Sequence, residues 1–168
     1  HRDLHSFPTR RSSDLTINLV KSYSVETGKT LRFQNCTVNL NNSEFGILVN
    51  NGRLEFSNCV VNCSEGFIRA SSANSVISIT NGSVINFNTG DQTSLLSNGA
   101  QLVIDGSSVS IQNGTMINLS NRSSFLATNS VVNLNGANLH LSGASSVSIA
   151  ENSQFNVTGN SVISGETL

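Results

Sequence analysis

The groups best equipped for chemistry in this 168-residue chain are three cysteines, ten carboxylates and three histidines. Cys36 and Cys59 lie 23 residues apart, and each follows an asparagine. Cys63 comes four residues after Cys59. A zinc site would need a second Cys or His pair at ligand spacing, and no such pair accompanies Cys59 and Cys63. Beyond residue 15 the only aspartates are Asp91 and Asp105, so no Asp cluster exists to hold calcium. Glu44 and Glu65 are 21 residues apart. A repeating fold could bring them within the about 5–9 Å that a glycosidase carboxylate pair requires, but two solvated loop glutamates explain them more simply. His140, between Leu139 and Leu141, is expected to point outward as a surface residue. Tyr23 is the sole tyrosine and there is no tryptophan, so no aromatic stripe is available for stacking sugars or bases. These residues give no catalytic site, no metal site and no cofactor site.

Composition narrows the classes further. A formal net charge of −1 provides no basic field for nucleic acid or an anionic membrane. No apolar run approaches the length of a membrane span. Residues 1–15, HRDLHSFPTRRSSDL, stand apart from the rest. They hold the only proline, two of the three histidines and three of the nine Lys+Arg. They back-translate without strain into a sequence that resembles the adaptor oligonucleotide of short-read sequencing libraries. We therefore expect 1–15 to be a non-native, disordered extension and exclude them from fold reasoning. Residues 16–168 carry six Lys/Arg against eight Asp/Glu, a net charge of −2, with no proline.

That body repeats itself. The second apolar residue in each of six similar segments is Phe33, Phe56, Ile79, Ile104, Ala127 and Ile149, at steps of 22 to 25 residues. Two places earlier stand Leu31, Leu54, Ile77, Leu102, Phe125 and Val147. Five places later stand Val38, Val61, Val84, Val109 and Val132, with Phe155 one place late. Two places after the mark stand Asn35, Asn58, Asn81, Gly106 and Asn129, with Asn152 one place late. A polar column, Asn39, Asn62, Ser110, Asn133 and the shifted Asn156, follows. A third apolar pair completes each unit, as in Ile47/Val49, Ile68/Ala70, Leu95/Leu96 and Ile117/Leu119. Single-residue slips in the third and sixth units read as bulges or lengthened turns.

Alternation of apolar and polar residues over short runs means strands with one buried face. The body has 24 Asn and 26 Ser, which favour bends over helix interiors. One unit cannot bury its own apolar face, but stacked units can. The expected fold is all-β: a right-handed single-stranded parallel β-helix of about six to seven coils with a period of about 23 residues. Such stacking places Cys36 over Cys59 in adjacent coils. Their Cα atoms would then lie within disulfide range. Both a disulfide and a ladder of free, half-buried thiols fit that placement. Cys63 falls in an inward column as a core residue. Arg32 and Glu55 share an outward column and should pair. Eight Asn-x-Ser/Thr sequons occur, and the bend positions Asn41, Asn113 and Asn121 are the better acceptors.

The Leu-x-Phe-x-Asn segments at 31–35 and 54–58, and the asparagine column they begin, resemble the right-handed parallel β-helix of the pectin-lyase-like kind. The closest style is that of autotransporter passengers, polymorphic outer-membrane proteins and haemagglutinin-type adhesins. The resemblance implies an asparagine ladder of Asn35, Asn58, Asn81 and Asn129 at tight bends. It also implies a structural or adhesive segment of a secreted or cell-surface protein, without catalysis in this stretch, binding an unidentified host-surface or matrix ligand. The alternative is the scaffold of a polysaccharide lyase or hydrolase, or of a phage tail spike, with its active site elsewhere. Neither end shows a cap, so 16–168 is expected to be a fragment that continues into further coils. It is not expected to insert into a membrane.

Overall fold

In the computed structural model, residues 15–90 and 93–166 are described. The reading of 1–15 therefore falls outside the description except at Leu15, whose carbonyl accepts a hydrogen bond from Thr37 N at 2.8 Å. Asp91 also lies outside it. Among the described residues there are twenty strands and no helix.

The strands form three all-parallel sheets. The first contains Thr16–Asn18, Thr37–Leu40, Val60–Cys63, Val84–Phe87, Ser108–Gln112, Val131–Asn135 and Gln154–Thr158. The second contains Tyr23–Val25, Gly46–Val49, Phe67–Ala70, Thr93–Leu96, Met116–Leu119, Asn138–Leu141 and Val162–Gly165. The third contains Thr30–Gln34, Arg53–Ser57, Val76–Thr80, Gln101–Asp105, Ser124–Thr128 and Ser146–Ile149. The chain visits the sheets in rotation, so each pairing joins one coil to the next. The result is a β-solenoid of about six turns with coils about 23 residues apart.

Register follows the columns. Phe33 aligns with Phe56, Phe56 with Ile79, Ile79 with Ile104, Ile104 with Ala127 and Ala127 with Ile149. These side chains point inward, and most are buried. The Phe33 and Phe56 rings stack with centroids 5.4 Å apart and planes 11° apart. Because identical columns fill the interior, the core is one continuous axial cluster. An apolar void of about 30 Å³ remains between Phe56 and Phe125, bordered by Ile79, Ile85, Phe87 and Leu102.

Two column assignments need correction. Val84 aligns with Val60, an outward position, and Ile85 takes the inward place over Val61. The cause is the lengthened bend Asn81-Gly82-Ser83, where the preceding coil uses only Asn58-Cys59. In backbone register Leu95 aligns with Arg69 and Asn118, and it is Leu96 that continues the inward column of Ala70 and Leu119.

Corners hold the sheets together. Asn35, Asn58, Asn81, Gly106, Asn129 and Asn152 all have φ between 50° and 57°, the left-handed region. Asparagine and glycine adopt that region at least cost, and this explains the column. The next inward residue, directly before the strand, is small: Cys36, Cys59, Ser83, Ser107, Ser130 and Ser153. Several of these Oγ atoms accept a backbone N–H from the coil before. Ser83 Oγ accepts from Cys59 N at 3.1 Å, Ser130 Oγ from Ser107 N at 3.2 Å and Ser153 Oγ from Ser130 N at 3.2 Å. Buried backbone donors at the bend are thereby satisfied.

Candidate functional site

Among the described residues, chemistry-bearing side chains gather in three places: the asparagine columns, one polar groove and one face of the second sheet.

The expected ladder is assembled in part. Asn58 Nδ2 donates to Asn35 Oδ1 at 2.8 Å. Asn81 shares the corner and the backbone conformation, but its Nδ2 donates to Ser57 Oγ at 2.8 Å instead. Gly106 has no amide to offer. The ladder resumes where Asn152 Nδ2 donates to Asn129 Oδ1 at 3.3 Å, and Asn129 Nδ2 reaches Asp105 Oδ1 at 3.4 Å.

A longer ladder stands on the outward face of the first sheet. Asn39 donates to Asn18 at 2.9 Å, Asn62 to Asn39 at 3.0 Å and Asn86 to Asn62 at 3.1 Å. Ser110 interrupts it, and Asn156 then donates to Asn133 at 2.8 Å. The sequence column lacked Asn18 and Asn86. Asn86 is hidden by the slip that misplaced Val84. Asn18 precedes the first full unit.

The groove lies on the third sheet, an open hollow of about 310 Å³. Arg32 Nε donates to Glu55 Oε2 at 2.6 Å, as the shared column requires. Arg53, two residues before Glu55 on the same strand, donates to Oε1 at 2.7 Å. Gln34, Ser57, Thr80 and Asn81 complete the wall. The Arg32 hydrogen bond, with Arg53 adding to it, holds the Glu55 carboxyl below its ordinary pKa against an opposing burial effect. A carboxylate so held stays ionised near neutrality and is a poor general acid. The groove can offer hydrogen bonds to a neutral polar ligand.

On the second sheet, Phe67 lies over Gly46, and the Arg69 guanidinium sits 4.3 Å from the ring centroid. Toward the last coils, His140 faces outward on its strand as expected and is half-buried. Its Nδ1 lies 2.9 Å from Ser164 Oγ. Ser164 was missed in the sequence, although it stands about one period after His140. Asn118 shares this column, and its Oδ1 is buried without a hydrogen-bond partner. A serine beside an imidazole is the start of a nucleophilic arrangement, but that arrangement also needs a group aligning the base and donors for an oxyanion.

The remaining candidates build no site. Glu44 and Glu65 are both exposed, each two residues before Gly46 and Phe67, which pair across adjacent coils, so the two glutamates stand on stacked bends. Asp105 is exposed and is engaged by Asn129. Tyr23 is partly exposed, with Lys21 Nζ 5.4 Å from its ring centroid. Among the described residues no three His, Cys, Asp or Glu side chains converge as a metal site would require. Cys36, Cys59 and Cys63 are free thiols, and the Sγ atoms of Cys36 and Cys59 stand 3.8 Å apart. Burial pushes the Cys63 thiol up to about 12. Burial and the neighbouring Cys59 push Cys36 up to about 11. Neither is therefore an activated nucleophile.

Comparison with protein-family models, with curated proteins and with solved structures returned no match.

Proposed function

We propose that this chain is a structural and adhesive segment of a secreted or cell-surface protein, a stiff polar rod of the pectin-lyase-like β-helix type. The observation that carries this reading is the Asn18–Asn39–Asn62–Asn86 ladder. It lines the outer face of one sheet with amide groups bonded along the rod axis. Side chains bonded from coil to coil lock successive coils together, and the same amides offer regularly spaced donors and acceptors to a partner surface. At ~4.8 Å per coil, about six turns span roughly 29 Å, the length of a spacer element. The partner suited to such a surface is a neutral, hydrogen-bonding one: a host-surface or matrix glycan or glycoprotein, with no call for nucleic acid.

The test is a plate assay. The purified chain is immobilised and offered a panel of matrix proteins and glycans, and the same preparations are checked for new reducing ends or unsaturated sugars. Saturable binding to one panel member, without product release, is the expected result. Product release would overturn this reading in favour of a polysaccharide-cleaving enzyme.

A further inference from the structure

The corner after the left-handed asparagine or glycine is serine in four consecutive coils, at Ser83, Ser107, Ser130 and Ser153. It is cysteine in the two coils before them. A single cysteine in this column would leave an isolated thiol. Two in succession bring the sulfurs into contact, 3.8 Å apart. Residues aligned across parallel neighbouring strands have Cα atoms ~4.8 Å apart, within the range that disulfides span. Val60 N donates to Cys36 O at 3.0 Å, so the two corners are held in register by the sheet itself. We propose that Cys36 and Cys59 are a thiol oxidation site, forming one disulfide that clamps two adjacent coils while Cys63 stays reduced.

Geometry supplies the selectivity. Cys63 lies four residues along the strand from Cys59, roughly 13 Å at strand rise. Its Sγ donates to Gly66 O at 3.0 Å in a different corner. No side-chain rotation brings it to either partner. The chemistry balances with a small-molecule disulfide as oxidant. One cysteine thiolate attacks the oxidant's S–S bond and releases one small thiolate. The other cysteine thiolate then attacks the protein sulfur of the mixed disulfide and releases the second. Two protein thiols lose two protons and two electrons, and the oxidant becomes two thiols. Cys36 and Cys59 are buried, 5% and 2% exposed, so exchange proceeds while the corner is open, during folding.

The full chain is refolded in a glutathione redox buffer, the remaining thiols are alkylated, and tryptic peptides are fragmented in a mass spectrometer. The expected result is a link between peptides 33–53 and 54–69 through Cys36 and Cys59, with Cys63 alkylated. The same buffer in strong urea should scatter links among all three cysteines. Cys59→Ser places at this corner the residue that later coils already use there, so it should fold and lose the link. Three alkylated cysteines in the refolded chain, or a link through Cys63, would overturn the proposal.

Discussion

Asn58 donates its side-chain amide to Asn35 Oδ1 at 2.8 Å, and both residues sit at φ 52°. One residue type thus serves two purposes at this corner, a left-handed backbone and a bond to the neighbouring coil. Substitution separates them. Asn58→Gly removes the bond and keeps the backbone, at a cost of about 1 kcal/mol. Asn58→Ala removes the bond and adds left-handed strain of about 1–2 kcal/mol. Asn62, in a strand, bonds to Asn39 and Asn86 but has no left-handed backbone to serve. There the order reverses, because glycine weakens a strand interior more than alanine does. Urea unfolding of the four variants checks both orders. Equal effects of Gly and Ala at position 58 would refute the backbone explanation.

Among the described residues, Arg122 and Ala144 are the two in the left-handed region that are neither asparagine nor glycine, at φ 66° and 60°. Arg122→Gly keeps its backbone bond from N to Gly143 O and relieves the conformation, and Ala144→Gly relieves the conformation at the next corner. Each should raise stability by about 1 kcal/mol. Gly106→Ala should lower it by a similar amount for backbone reasons alone, since the added methyl meets nothing within 4 Å. Denaturant midpoints that move in the other direction would show that these corners relax freely.

Gly46 is fixed by contact. A methyl group there would fall on the Phe67 ring and on the Phe67 carbonyl oxygen. Gly46→Ala should therefore cost about 1–3 kcal/mol, the usual range for overpacking. Combining it with Phe67→Ala removes the ring but leaves the carbonyl, so the double variant should cost less than the two single losses together. Simple additivity in thermal unfolding would mean that the ring moves aside at no expense.

The inward columns were legible because burial of alternate residues leaves a period-two signature that repeats from coil to coil. Phe33 through Ile149 is such a column, and every pairing along it is present. Val84 was misplaced because the column shift is set by the length of the preceding bend, and bend length has no periodic signal. The same blind spot covered Asn86 as a ladder rung. It also covered the buried corner serines, which lie between strands where alternation is absent. Asn81 shows the converse. Its backbone conformation followed from residue type, but its side-chain partner, Ser57 in place of Asn58, carries no signal in the column.

Acid titration separates the Glu55 pair from the rest of the fold. Arg32 first, then Arg53, keep the folded-state carboxyl below its ordinary pKa. The pair therefore stabilises the chain above the unfolded carboxylate pKa, and that contribution is lost as pH falls through the lower folded value. Both arginines are well exposed, with side chains 61% and 49% accessible, so solvent screens the pair to about 0.2–1 kcal/mol. Urea midpoints of the natural chain and of Glu55→Gln should differ at neutral pH and converge under acid, below the ordinary Glu pKa of about 4.3. Added salt should shrink the difference at neutral pH, because exposed ion pairs are screened. A difference that persisted unchanged into acid would assign the effect of Glu55→Gln to packing instead of charge.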